Sequence, residues 1–184
     1  MNILLVSLVL IASMFCDVNK LYSQDLPTFE FNQTDESGLR TGIWVEEDYY
    51  NYYKTFDTYK NGVLNGISLT INPKTNKPYV ICEFSNGEYS GTWYAFDDDG
   101  RLIYMLTDFK KNTLPAASIH GVQSVNGDIF ENQCYSISFH TNGNIKSEGI
   151  LQFDDAPDSD FSFEYGLWKY YDENGCLINT KIYK

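Results

Sequence analysis

Residues 91–103 read GTWYAFDDDGRLI, and residues 166–178 read GLWKYYDENGCLI. Both run Gly-x-Trp, an aromatic-bearing stretch, acidic residues, then Gly-x-Leu-Ile. Trp93 precedes Gly100 by seven residues, and Trp168 precedes Gly175 by the same interval. The echo predicts two β-hairpins made to one plan, each with Trp on its first strand and a turn glycine at the bend, Gly100 or Gly175. A looser echo lies upstream. SGLRTGIW starts at Ser37, NGVLNGIS at Asn61 and NGEYSGTW at Asn86, and the three align without gaps. Their second glycines, Gly42, Gly66 and Gly91, recur every 24 to 25 residues. A fixed interval of that size marks a repeat architecture.

The chemistry of each unit is readable. Asn-Gly ahead of a strand supplies the positive φ angles of a tight hairpin turn. The second glycine, just before Trp44 or Trp93, is expected to let a neighbouring backbone or ring approach closely. ISLTINP (67–73) alternates apolar and polar residues with period two, and KPYVICEF (77–84) reads as its return strand. Pro73 in the link cannot continue a central ladder. Hairpins are therefore expected over 66–84, 91–109, 135–153 and 166–183. Residues 107–134 read as a longer connection, and DDAPDSD (154–160) as an acidic loop.

Composition agrees. The 184 residues include fifteen Tyr and twelve Phe, types that fit a pleated, half-buried surface. No long 3.6-period apolar face follows residue 24. The net charge of −12 argues against nucleic acid, whose phosphates need a Lys/Arg surface, and against a polybasic grip on lipid headgroups. The apolar run NILLVSLVLIASMF at the N-terminus is too short to span a bilayer and reads as a signal peptide over 1–23, cleaved after Ser23. Lipidation at Cys16 is the alternative. No later run would anchor the mature chain in a membrane. Cleavage would leave Cys82, Cys134 and Cys176. In an oxidising compartment these permit one disulfide in any of three pairings, or none.

The stretch FHTNGNIKSEGIL (139–151) with GLWKYYDENGCLINTKIYK (166–184) resembles the bacterial variant of the MORN repeat, as in the YwqK-type family. The shared pattern is an aromatic, a turn at Asn-Gly, Gly-x-Trp, and a Tyr-Tyr pair ahead of Asn-Gly and a short apolar strand. The resemblance spans roughly 37–106 and 135–183. It implies an elongated meander of hairpins acting as a binding scaffold. NGEYSGTWYAFDDDG (86–100) is also similar to the aromatic repeats of choline-binding cell-wall modules.

Signals for catalysis are sparse. The histidines are His120 and His140. Cys134 and His140 could share a strand face, but six strand residues span about 20 Å, too far for a nucleophile and its base. The runs Asp97–Asp99 and Asp154–Asp160 lack the order of a calcium loop. No phosphate loop, GxSxG elbow or HExxH occurs. No catalytic, cofactor or metal residue is assigned. The surface feature that stands out is DYYNYYK (48–54). As a strand it would place Tyr50 with Tyr52 on one side and Tyr49 with Tyr53 on the other. Tyr suits contact surfaces because it joins an apolar body to a polar tip.

The reading is an all-β array of antiparallel hairpins forming an elongated repeat sheet over 37–184, after a signal peptide (1–23) and a linker (24–36). It is expected to be secreted or periplasmic and to act without catalysis, binding a protein partner. Binding of a glycan or envelope component through exposed Tyr and Trp is the alternative, and a carboxylate hydrolase a third.

Overall fold

A chain punctuated by turn glycines at Gly62, Gly87, Gly100, Gly143 and Gly175 has little choice but to fold back on itself. The computed structural model describes residues 30–48, 50, 52–113, 130–154, 157 and 162–184. The signal peptide, Cys16, Tyr49 and His120 lie outside these residues. The described chain is all-β, with eleven antiparallel strands in one open sheet whose order follows the sequence. The strands are β1 (Gln33–Thr34), β2 (Arg40–Glu47), β3 (Lys54–Lys60), β4 (Val63–Ile71), β5 (Pro78–Ser85), β6 (Glu88–Phe96), β7 (Leu102–Lys111), β8 (Asn132–Phe139), β9 (Ile145–Phe153), β10 (Phe163–Tyr171) and β11 (Leu177–Tyr183). All four hairpins expected from the sequence are present. Two boundaries differ. β1 pairs with β2, so the sheet begins inside the segment read as a linker. The longer connection read over 107–134 is narrower at both ends, because β7 runs to Lys111, β8 begins at Asn132, and the two strands pair directly.

Two turn chemistries alternate with the repeat. Asn61-Gly62 and Asn86-Gly87 all have positive φ, between 52° and 85°, the two-residue geometry that matches strand twist. The β6–β7 and β10–β11 turns instead begin with an aspartate. Asp97 Oδ1 accepts the N–H groups of Asp99 and Arg101, and Asp172 Oδ1 accepts those of Asn174 and Cys176. These bonds to the ionised form hold both carboxyls below their ordinary range. Asp97, part of the acidic run 97–99, is therefore a turn-former.

The Gly-x-Trp motif is a recurring bulge. Between Ile81↔Tyr94 and Glu83↔Ser90, Cys82 alone faces Gly91, Thr92 and Trp93. Between Ile150↔Tyr165 and Glu148↔Lys169, Gly149 alone faces Gly166, Leu167 and Trp168. β4 does the same with Asn65, Gly66 and Ile67 against Thr58. At Gly166, φ is +68° and no atom lies within 4 Å of where a Cβ would sit. The glycine there serves the left-handed backbone that a bulge needs; Gly42 is open in the same way, whereas Gly91 is closely approached, by the Glu83 side chain and not by the backbone or ring expected from the sequence. Close approach occurs across the strand, at Gly149, where three ring atoms of Trp168 would lie 2.5 Å from an added Cβ.

Register carries the motif tryptophans to one face. Trp44↔Asp57↔Ser68↔Cys82 run across β2 to β5. Cys82 lies beside Trp93, and Trp93↔Leu106↔Ser136↔Gly149 continue to β9, beside Trp168. The buried hydrophobic residues Cys82, Trp93, Ala95, Leu106, Cys134, Phe153 and Trp168 all belong to this face by strand alternation. The indole N–H groups of Trp44 and Trp168 donate to the carbonyls of Gln33 and Ile150, each at 3.0 Å. These acceptors are equivalent, since each pairs with the residue before its motif glycine. Cys82, Cys134 and Cys176 carry thiols, the first two buried and the third exposed; no disulfide joins them. Burial pushes the Cys134 thiol up to about 12, so it stays protonated and inert.

Candidate functional site: two sheet faces and a tyrosine loop

The face opposite the tryptophans is built differently. One straight row of directly paired residues crosses it: Val45↔Phe56↔Leu69↔Ile81↔Tyr94↔Met105↔Ile137↔Glu148↔Lys169. The first seven are hydrophobic or aromatic and every one is half-buried. At the strand spacing of a sheet, those seven cover about 29 Å. The row is flanked by Ile43, Thr58, Ile67, Glu83 and Thr107 on one side and by the Glu47–Lys54 ion pair (2.9 Å) followed by Ile71 on the other. No buried hydrophobic side chain lies on this face among the described residues. Here, then, is a half-buried apolar stripe running across seven strands, with apolar and polar residues mixed along its margins.

The stripe ends in a polar cluster. Glu148 Oε1 accepts from the Tyr171 hydroxyl at 2.6 Å and from Lys169 Nζ at 3.1 Å. The Tyr171 bond, helped by Lys169 and Tyr135, holds the Glu148 carboxyl below its ordinary value. Burial and the neighbouring Glu148 push the Tyr135 phenol up to about 12. A carboxyl whose folded pKa is depressed adds stability at pH values above its unfolded pKa, near 4.3 for Glu. That contribution disappears as pH falls through the folded value. Glu148→Gln is therefore expected to lower the melting temperature at pH 7, with a gap that closes as pH drops below about 4. Paired melting curves across pH check this, and a gap constant with pH would rule it out.

The tryptophan face holds a crevice of about 370 Å³ between the two hairpin copies, walled by Trp93, Leu106 and Trp168 and floored by Ser136, Ser138 and Ser147. Two of the floor hydroxyls already pair with each other, Ser138 Oγ to Ser147 Oγ at 2.7 Å. Glu164 and Lys146 sit at its rim. Trp93 and Trp168 are each only 5% exposed. They are core residues, contrary to the expectation that tryptophans would offer rings to a ligand.

Tyr50, Tyr52 and Tyr53 of DYYNYYK are not in a strand. Tyr50, Tyr52 and Tyr53 lie in the β2–β3 loop, because Asp48 takes the backbone N–H groups of Tyr50 and Tyr53 on its carboxylate (3.2 and 2.6 Å). Such local bonds compete with a ladder. Tyr50 is 70% exposed and Tyr52 59%. Tyr53 packs on Tyr79 of β5 with ring centroids 5.0 Å apart, and Lys74 Nζ lies 5.9 Å from the Tyr52 ring. Sequence reasoning found the loop tyrosines but missed Tyr79, which a turn and a strand bring to them.

His140 Nε2 lies 2.9 Å from the Tyr171 carbonyl oxygen, tying the β8–β9 turn to β10. Among the described residues no group of His, Cys, Asp and Glu is placed to hold a metal ion, and no helix is long and apolar enough to cross a membrane. Fold and surfaces together define a single-sheet hairpin-repeat protein with its core on one face and an apolar stripe on the other. No protein-family model, curated protein or solved structure matches the chain.

Proposed function

We propose that this chain is an exported, non-enzymatic scaffold of the MORN-like kind that binds a partner protein across the stripe from Val45 to Ile137. The observation that carries the reading is the stripe itself: seven half-buried apolar side chains in register over seven strands. Contiguous apolar surface of this extent marks contact sites. Its length of about 29 Å equals some 20 residues of helix, so an amphipathic helix of the partner fits along it. The chain's charge of −12 favours a basic partner and speeds the encounter. Ile81→Glu puts a charge at the centre of the stripe. It is expected to abolish capture of a protein from envelope extract while leaving the strand signature in circular dichroism intact. Undiminished capture by this variant would overturn the reading.

A second reading rests on the exposed cluster of Tyr50, Tyr52, Tyr53 and Tyr79, whose rings offer faces to a glycan. Glycan-array binding lost in Tyr52→Ala but kept in Ile81→Glu would favour it over the first.

A further inference from the structure

The two edges of the sheet are treated unequally. At the N-terminal edge, β1 pairs with Arg40 and Thr41, and Asn32 satisfies Ile43 and Val45 through its backbone N–H and side-chain oxygen. What remains of β2 there is Glu46 and Glu47. A covered, charged edge of this kind blocks further strand pairing. The C-terminal edge has no such cover among the described residues. β11 pairs with β10 on one side, and among the described residues no strand pairs with its other side. Leu177, Ile178 and Ile182 stand 54%, 65% and 67% exposed on it.

The sequence of this strand, LINTKIY (177–183), is symmetric in character about Thr180. Two apolar residues lie at each end and three polar ones in the middle. An antiparallel partner of the same sequence, centred on Thr180, would set Ile178 against Ile182, Leu177 against Tyr183, and Asn179 against Lys181. Apolar residues meet apolar ones, and no two like charges meet. β11 carries Lys181 and no carboxylate, so on a chain of net charge −12 it is an edge where two copies can approach without acid facing acid.

We propose that β11 is a self-association edge, where two copies of this chain pair antiparallel about Thr180 to form a two-fold dimer with one continuous sheet. The two-fold arrangement uses the same patch twice and closes on itself. The covered N-terminal edge excludes the head-to-tail alternative, in which β11 would pair with β2 of the next copy and build a filament. This proposal is independent of the stripe as a partner site.

The register makes a test with opposite signs at one position. Asn179 faces Lys181 of the other copy twice in the dimer. Asn179→Glu adds two opposite-charge cross-strand pairs, and Asn179→Lys adds two like-charge pairs. Each such pair contributes about 0.2–1 kcal/mol, so sedimentation velocity over a concentration series is expected to show a dimer dissociation constant lowered roughly 2- to 30-fold for Glu and raised by a similar factor for Lys. Asn179 is exposed, so neither substitution disturbs the core, and melting temperatures of the monomeric species serve as the folding control. A wild-type chain that stays monomeric at every concentration would overturn the proposal. So would a dimer that both substitutions shift the same way, or leave unchanged. Growth of particles beyond the dimer would overturn the two-fold geometry in favour of open assembly.

Discussion

Gly149→Ala is expected to destabilise the fold by about 3 kcal/mol, the upper end of what overpacking a core costs. For a chain of this size the melting temperature falls by roughly 6–12 °C. The cause is one contact. A methyl group at residue 149 would sit 2.5 Å from three atoms of the Trp168 ring. The ring cannot withdraw freely, because its N–H is bound to the Ile150 carbonyl and Tyr183 packs against it edge-on at 6.3 Å. Gly166→Ala makes the comparison. It has open space and suffers only the left-handed backbone, at about 1–2 kcal/mol. Thermal melts of the two variants should rank Gly149→Ala as the more damaging. Trp168→Leu should recover part of the Gly149→Ala loss when the two are combined, since the clash goes with the ring. Equal costs at the two glycines, or strict additivity in the double variant, would show that the ring is not seated as described.

Phe153→Ala is expected to cost about 4 kcal/mol, as large-to-small changes at a closed aromatic site do. Phe153 is 1% exposed and meets Tyr89 and Phe109 edge-on, at 6.4 and 6.2 Å. Those two rings stack on each other at 5.5 Å, so the deletion opens a hole that they cannot fill while stacked. Phe109 is there because β7 bulges against β8 between Thr107 and Lys110, with Asp108 in a left-handed conformation at φ 56°. Urea denaturation, read as a fall in midpoint at constant slope, checks the value. A loss under 1 kcal/mol would mean that the cluster closes over the gap.

The two losses have the same origin. An open single sheet gathers its buried apolar atoms on one face, so each residue there is held by neighbours from several strands. Phe153 and Gly149 both lie on that face of β9, the ninth of the eleven strands. Phe153 belongs to the buried cluster that holds Trp93, and Gly149 receives the ring of Trp168, so the two sites each bear on one hairpin copy.

Much of the meander was legible from turn chemistry. Asn61-Gly62, Asn86-Gly87 and the glycines Gly100 and Gly175 mark bends that the backbone makes almost regardless of context, since few other residues tolerate their φ angles. The Trp positions were legible as strand positions from the Gly-x-Trp echo, whereas their sharing one face follows from register across the strands. DYYNYYK was misleading for an equally local reason. Its tyrosines favour strands, but one carboxylate at Asp48 satisfies the backbone of Tyr50 and Tyr53 and turns the chain instead. Residues 107–134 read as a longer connection because their repeat signal fades. β7 and β8 nonetheless pair, as register between two strands does not require the sequence between them to carry a motif.

What the sequence determined by itself is where the chain bends and which side chains alternate, since both follow from φ, ψ and neighbours a few residues away. Only the tertiary structure decided which of the two faces became the core, that Gly149 receives the Trp168 ring, that Glu148 gathers Tyr171 and Lys169, and that β11 is left with an open edge. Each of these depends on which strands lie side by side and in what register. That is a global property of packing and hydrogen bonding, and no window of sequence contains it.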